Sequence, residues 1–491
     1  MSSKCFCNKE HCDFLNKFKS KIPNSQNLSY SINPKSKNLQ QIIHILMSGI
    51  RILHIDLIQG TSNEIKRCLE LITEAIEIFE SKSTFNIPIT KVCTIRGREL
   101  RVGKMRNNSP WNLYPFAKIT LTCDERYKYC CNDQVSYIYN FQSYIPMLKI
   151  EDVIIIDGNK IHLKVIKIVN NTHVTCCVTK HNKLRSFQNV ILPFRIEDSL
   201  LPTDNDLEDC LDAVNFKCNF LVVPKVKSPE YYHVLKKILQ NNQNEAHYVK
   251  LLAEVDAYEH IDIDKIIEHF YGIWMSPGNK TKVEMEEHIL KKCRLMKKPL
   301  ILEFTNERSP GSRAIRNIES ADCFFMLESK CPDDIQIIQR ADNTLRKITN
   351  EILKYQDLND EVGKQPLEHN FLNDCSSIFS KLQDAKVVIC ITNTGASAAS
   401  LSQLRLNSQI IVLTKNSIVA ARLHLWKNVK PMVYINCDNK CWIYQVNEMV
   451  QIALKFGTDI GLIKTGDVII SCFNSTGKSE DINNMKLNYV E

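Results

Sequence analysis

At 491 residues the chain is too long for one compact domain, because a single hydrophobic core stops growing at roughly 250 to 300 residues, so three domains, or two with an insertion, are expected. With 44% hydrophobic and 24% charged residues, the composition is that of a globular protein and excludes a mainly disordered one. The net charge of +8 is spread without any block of five or six basic residues, and no apolar run approaches the ~20 residues that span a bilayer. Neither nucleic acid nor a membrane is therefore an expected partner.

Residues 1–27 read as a tail. It lacks the apolar core of a signal peptide, which points to a cytoplasmic protein. Cys5, Cys7, His11 and Cys12 cluster there, but their spacing is short and irregular for a zinc knuckle, and a tail that happens to hold thiols is the simpler reading. Most of the 20 cysteines, such as Cys218, Cys323, Cys390 and Cys472, sit inside apolar runs as small hydrophobes of a reducing compartment.

LSYSI (28 to 32) reads as a strand, followed by a helix with Leu39, Ile42, Ile43 and Leu46 on one face and Gly49 at its end. A second strand, 50 to 56, leads to a helix capped by Thr61 or Ser62, in which Ile65, Leu69, Ile72 and Ile76 form a stripe. A third strand enters VCTIRGRELRVGKM, where two glycines and three arginines interrupt the alternation. From 104 to 197, short strands with turn signals at Asp157-Gly158-Asn159 and Asn170-Asn171 predict a small β domain.

Helix–strand alternation resumes near 204, with strands at 218 to 223, 248 to 255, 271 to 275, 299 to 304 and 322 to 327. Three strands and five make the eight of a (β/α)8 barrel, closed by the helix IQIIQRADNTLRKITNEILKYQ, with a small β-barrel lid inserted after the third strand. KVVICI, QIIVLT, PMVYI and DVIISCF belong to a separate C-terminal α/β domain. The expected domains are thus 28–103 and 198–365 for the barrel, 104–197 for the lid and 366–491 for the C-terminal domain.

This layout resembles pyruvate kinase, and residues carry the likeness further. TIRGRELRVG matches the signature Asp-Thr-Lys-Gly-Pro-Glu-Ile-Arg-Thr-Gly at Gly97, Glu99, Arg101 and Gly103; IIDG and VILP resemble the lid's turn and exit, and ARLHLWKNVKPMV and GLIKTGDVII two C-terminal segments. The resemblance implies phosphoryl transfer from phosphoenolpyruvate to ADP, giving pyruvate and ATP. Such chemistry depends on cations and metal-holding carboxylates placed around a highly negative group.

Carried over residue by residue, that machinery is altered. The arginine that grips the phosphate becomes His54, and the potassium-binding asparagine and serine become Asp56 and Ile58. Two further potassium ligands become Thr94 and Ile95, while Arg96 replaces a lysine and Arg101 is kept. In VKLLAEVDAYEH, Glu254 stands for the lysine that stabilises the transferring group, and Asp256 for a glutamate that binds the divalent metal. In MSPGNK, Gly278 is retained and Asn279 replaces the second metal-binding aspartate; Phe304 replaces a threonine near the proton-transfer step. The segment between the seventh and eighth strands is shorter than in the family.

ITNTGASA resembles the effector loop Thr-Lys-Ser-Gly-Arg-Ser at Thr392, Thr394, Gly395 and Ser397, and reads equally well as a hydroxyl-rich helix cap, because Asn393 and Ala396 stand at the basic positions. The expectation is a family member impaired or inactive in phosphotransfer, acting as a subunit partner or ligand-binding protein. The alternative is an active pyruvate kinase with rearranged ligands. The resemblance implies a weakened Mg2+ site, no K+ site, ADP and ATP as ligands of an active form, and a homo-oligomer (a tetramer in the family) or a hetero-oligomer with an active pyruvate kinase.

Overall fold

The computed structural model describes residues 28–32, 38–97, 100–194, 204–241, 249–255, 262–275, 283–304, 321–326, 385–405, 408–435, 441–476, 482 and 484–490. They fall into two compact units, an insert at Arg96–Asp206 and the chain on either side of it. The chain opens with β1 (Leu28–Ile32), α1 (Leu39–Met47), β2 (Ile52–Asp56), α2 (Ser62–Lys82) and β3 (Thr90–Thr94). Both helices start where the sequence supplies reciprocal caps. The Asn38 and Thr61 side chains accept from the Gln41 and Glu64 amides, whose own side chains accept from the cap amides.

The insert contains β4 (Trp111–Asn112), β5 (Lys118–Thr122), β6 (Val135–Tyr137), β7 (Val153–Ile156), β8 (Ile161–Val169), β9 (His173–Lys180), β10 (Lys183–Leu184) and β11 (Val190–Ile191). Six of these form one sheet in the order β11-β7-β8-β9-β5-β6, and β4 pairs with β10. Asn170 and Asn171, both at φ +50°, are the central residues of the turn that joins β8 to β9, which the Thr172 amide closes on Val169 O (3.2 Å).

The stretch at 100–103 joins the two ends of this sheet. On one side the Val190 amide donates to Leu100 O (2.8 Å) and the Val102 amide to Gln188 O (2.9 Å). On the other, the Tyr139 amide donates to Arg101 O (2.8 Å) and the Gly103 amide to Tyr137 O (2.7 Å). The Arg-Val-Gly of TIRGRELRVG is therefore the stave that closes the insert into a small barrel. Gly103 has no room for a side chain: a Cβ there would lie 2.7 Å from Lys128 O and 2.8 Å from Cys131 Sγ.

After the insert come α3 (Asp204–Asn215), β12 (Phe220–Val223), α4 (Glu230–Asn241), β13 (Lys250–Val255), α5 (Ile263–His269), β14 (Gly272–Met275), α6 (Val283–Leu295), β15 (Leu300–Phe304) and β16 (Cys323–Met326). With β1–β3 they close a parallel barrel in the order β1-β16-β15-β14-β13-β12-β3-β2. Alternate residues face the helices and build one apolar cluster, including Tyr30, Leu53, Cys93, Leu221, Ala253, Ile273, Leu302 and Phe324. The others face inward and fill the barrel, with Ile52, Val92, Phe220, Leu252, Ile301 and Cys323 in its lower part. The strands begin or end within two residues of the sequence-based limits; β2, for example, starts at Ile52 rather than Ile50. The expected last barrel helix lies outside the described residues.

The C-terminal domain runs β17 (Val387–Ile391), α7 (Ala396–Gln403), β18 (Gln409–Thr414), α8 (Ser417–Leu423), β19 (Val429–Val433), α9 (Trp442–Asp459), β20 (Val468–Phe473) and β21 (Asn484–Tyr489). Its sheet is ordered β19-β18-β17-β20-β21, with β21 antiparallel at the edge, a strand that the sequence reading did not include. The segment after α8 seals the floor of the barrel. Leu425 joins the barrel's interior cluster, the His424 Nε2–H donates to Pro88 O (2.9 Å), and Thr90 Oγ1 donates to Ala421 O (2.6 Å). Asp322, buried before β16, accepts from Arg405 Nη1 (2.8 Å) and from the Leu300 amide (2.9 Å).

The stave makes one specific prediction. Gly103→Ala must displace Lys128 or Cys131 and should destabilise the insert by about 1–3 kcal/mol. Hydrogen exchange would read this as lost protection at the Tyr139 and Val190 amides, with the eight-stranded barrel unaffected. Unchanged protection at both amides would count against the stave assignment.

Candidate functional site

The C-terminal ends of barrel strands are where a (β/α)8 fold places its chemistry. Strand register and alternation stack the inward residues there in layers drawn from alternate strands. The uppermost complete layer is polar: Ser31 on β1, Thr94 on β3, Glu254 on β13 and Glu303 on β15. The layer beneath it holds His54 on β2, Val222 on β12, Trp274 on β14 and Phe325 on β16.

His54 ties the two layers together. Its Nδ1 lies 3.0 Å from Ser31 Oγ and its Nε2 2.8 Å from Thr94 Oγ1, so one ring nitrogen donates and the other accepts. The ring meets Trp274 edge-on at 5.2 Å and Phe325 at 5.4 Å, and the Trp274 and Phe325 rings are 4.3 Å apart. Only 3% of His54 is exposed, and burial lowers its pKa to about 3, so the imidazole is neutral at physiological pH. Trp274 Nε1 and Ser29 Oγ are buried without a partner beside this plug.

The position matched to the phosphate-gripping arginine thus carries a neutral ring enclosed by protein. Asp56 accepts from the Ile58 amide at Oδ1 and from Gln59 Nε2 at Oδ2, both 3.1 Å, capping the one-turn helix Leu57–Gln59. Ile58 and Ile95 are buried apolar side chains, and Thr94 spends its hydroxyl on His54. Of these four residues, two offer no side-chain oxygen and two have theirs engaged within the protein. Among the described residues, no group of three His, Cys, Asp or Glu side chains could hold a metal. Asp256, Gly278 and Asn279 lie outside the described residues, as do Glu99 and the Cys5–Cys12 cluster.

Glu254 is part of the polar ring, across from Glu303. Burial first, and then the charge of Glu254, raise the Glu303 pKa to about 7. Phe304 ends β15 opposite Met326. In the insert, Arg96 is largely buried, and Arg101 Nη1 donates to Phe187 O at 3.4 Å while its backbone forms the stave. Asp157 pairs with Lys160 at 3.1 Å in a turn.

The loop between β17 and α7 closes on itself. Thr392 Oγ1 accepts from the Gly395 amide (3.0 Å) and Thr394 Oγ1 from the Ala396 amide (3.4 Å), with Gly395 at φ +85°, where a side chain would be strained. Two amides that could have faced a phosphate are engaged within the turn, and Ser397 is buried at the helix start.

Glu303, Trp274 and Phe325 were absent from the sequence-based site. A signal for Glu303 existed: a carboxylate in the run LILEF, two residues after an inward isoleucine, must face the barrel's interior. No comparable signal distinguishes Trp274 or Phe325 from ordinary strand hydrophobes.

Comparison with known proteins agrees with this architecture. A model of the pyruvate kinase barrel domain matches residues 25–307, and a model of the pyruvate kinase alpha/beta domain matches residues 375–488. The chain is 20% identical over 482 residues to a pyruvate kinase of Debaryomyces hansenii, covering 93% of this chain and 94% of that one. It is 19% identical over 481 residues to the pyruvate kinase of Candida albicans (93% and 94% covered), and 19% over 484 residues to pyruvate kinase 2 of Saccharomyces cerevisiae (94% of each). Identity is low but runs nearly end to end, and the barrel model alone spans more than half of the sequence: the chain belongs to the pyruvate kinase family.

Proposed function

We propose that this family member is impaired or inactive in phosphoryl transfer from phosphoenolpyruvate to ADP, and serves in the cytoplasm as a subunit partner or ligand-binding protein. The observation that carries this reading is the mouth of the barrel, where Glu254 and Glu303 stand above a neutral, enclosed His54. A phosphoryl oxygen about 4 Å from a unit charge feels roughly 4 kcal/mol at an effective dielectric near 20. Exchanging an attractive cation for a carboxylate forfeits that attraction, which alone corresponds to about a thousandfold in rate, and adds repulsion.

Magnesium would fall to Asp256 and Asn279, one carboxylate and one amide oxygen, a weaker set than two carboxylates. A metal bound there would neutralise phosphate charge. This chain's own ring of Ser31, Thr94, Glu254 and Glu303 supplies no cation to assist it.

The direct test is a coupled pyruvate assay with Mg2+ or Mn2+ and with K+, run beside an active relative. The expected rate is at least about a thousandfold lower, and Glu254→Lys alone should not restore it, since His54 and Ile58 remain. A rate close to the relative's would overturn the reading. The partner role predicts a species larger than one chain in size-exclusion chromatography of material captured from its native cell, either homo-oligomeric or containing an active pyruvate kinase. A monomer free of kinase subunits would argue against it.

The Glu254–Glu303 pair also sets a pH dependence. The folded protein keeps a proton on Glu303 up to about pH 7, whereas the unfolded chain releases it near its ordinary value of roughly 4.3. Folding stability from this group is therefore present at low pH and is lost as pH rises through that window. Glu303→Gln should flatten the change in Tm between pH 5 and pH 8 and exceed the parent in stability at pH 8 by on the order of 2 kcal/mol. Parallel profiles for the two proteins would remove the buried proton from the account.

A further inference from the structure

We propose that the ribbon formed by β4, β10 and their flanks is a binding surface for single-stranded nucleic acid. This goes beyond the proposed function and does not depend on it, since the ribbon lies wholly within the insert. Along the sequence its basic residues are dispersed, which is why charge runs do not reveal it. The fold brings residues 104–118 alongside 177–186. The Met105 amide donates to Ser186 Oγ (2.9 Å), Trp111 pairs with Leu184 and Asn112 with Lys183, the Leu113 amide donates to Asn182 O (3.3 Å), and Lys118 pairs with Cys177.

These two segments together contain Lys104, Arg106, Lys118, Lys180, Lys183 and Arg185, with His181, and no aspartate or glutamate. All but Lys104 are exposed. Lys180 reaches the neighbouring turn at Asn159 O, where the acidic Asp157 is already paired with Lys160. Three aromatic side chains stand among these cations: Trp111 is 36% exposed, Tyr114 66% and Phe116 81%.

Phe116 is the most telling of the three. Its backbone is held at φ +61°, a region costly for a bulky residue, by the hydrogen bond from its own amide to Val178 O (2.9 Å). Glycine or asparagine would make that turn with less strain, and a polar residue would suit the exposure better. Aromatic faces presented between cations match a chain of phosphates carrying flat bases, which neutralises the cations and stacks on the rings. An acidic peptide would use the cations but not the rings, so the rings favour the nucleic acid.

The test is fluorescence anisotropy of a labelled single-stranded RNA dodecamer with the full chain, titrated between about 50 and 200 mM KCl. Binding should weaken steeply with salt. Tyr114→Ala combined with Phe116→Ala should weaken it about 10- to 100-fold with the salt slope unchanged, because stacking is lost and ion pairing is not. Lys180→Gln, Lys183→Gln and Arg185→Gln together should weaken it and lower the slope by about 2, roughly 0.7 for each contact. All five positions are exposed, and circular dichroism melts would establish that each variant is folded. No binding at the lowest salt would overturn the proposal. So would wild-type affinity in the aromatic variant, or equal affinity for a labelled polyglutamate of matched charge, which would make the ribbon a surface for acidic polypeptides.

Discussion

A closed parallel barrel has no spare interior: every second side chain on eight strands points at the axis and must find its partners there. At the mouth of this barrel one imidazole meets that constraint. An arginine at the place of His54 would bring a charge that needs an anion to sit against it, since an unpaired buried charge is strongly disfavoured. The neutral ring instead bridges Ser31 and Thr94 and offers its edges to Trp274 and Phe325. The neutral ring and the two large aromatics beside it form one packed unit, in which each needs the others to stay enclosed. The carboxylates of Glu254 and Glu303 then stand on a floor of rings.

The motif at 100–103 has a structural role of its own. Arg101, Val102 and Gly103 hold their places by hydrogen bonds from both edges of the insert's sheet and, at the glycine, by contact with Lys128 and Cys131. None of these interactions needs a phosphate or a metal. Thr94 and Ile95, a few residues earlier, serve the barrel's packing in the same way. Selection for a closed insert is enough to keep the glycine.

The repeating units were legible because their signals are local. The cap at Thr61, the Asn170-Asn171 turn and the apolar strands each announce themselves within a few residues. The family motifs added the order of the domains. What was not legible depends on register across distant strands. The inward direction of Glu303 could be read locally but its place beside Glu254 could not, and the layer containing Trp274, Phe325 and His54 exists only once the barrel closes. The basic ribbon was hidden for the same reason, with Arg106 and Arg185 separated in sequence but brought near through Met105 and Ser186. The edge strand β21 is a different case: NMKLNY alternates polar and apolar residues as a strand does, so its signal was local and was missed.

Leu425 carries a different consequence. The barrel's lower opening is stopped by a residue from another domain, with His424 and Ala421 anchoring it to Pro88 and Thr90. Eight strands and their helices are therefore not self-sufficient: the ring of Ile52, Phe220 and Cys323 would meet water if the chain stopped after β16. A shortened product of the same gene lacking the last hundred or so residues would bring an apolar hole to its surface and be prone to aggregation and proteolysis. The two domains are bound to be inherited, expressed and degraded together, whatever becomes of the chemistry at the opposite end of the barrel.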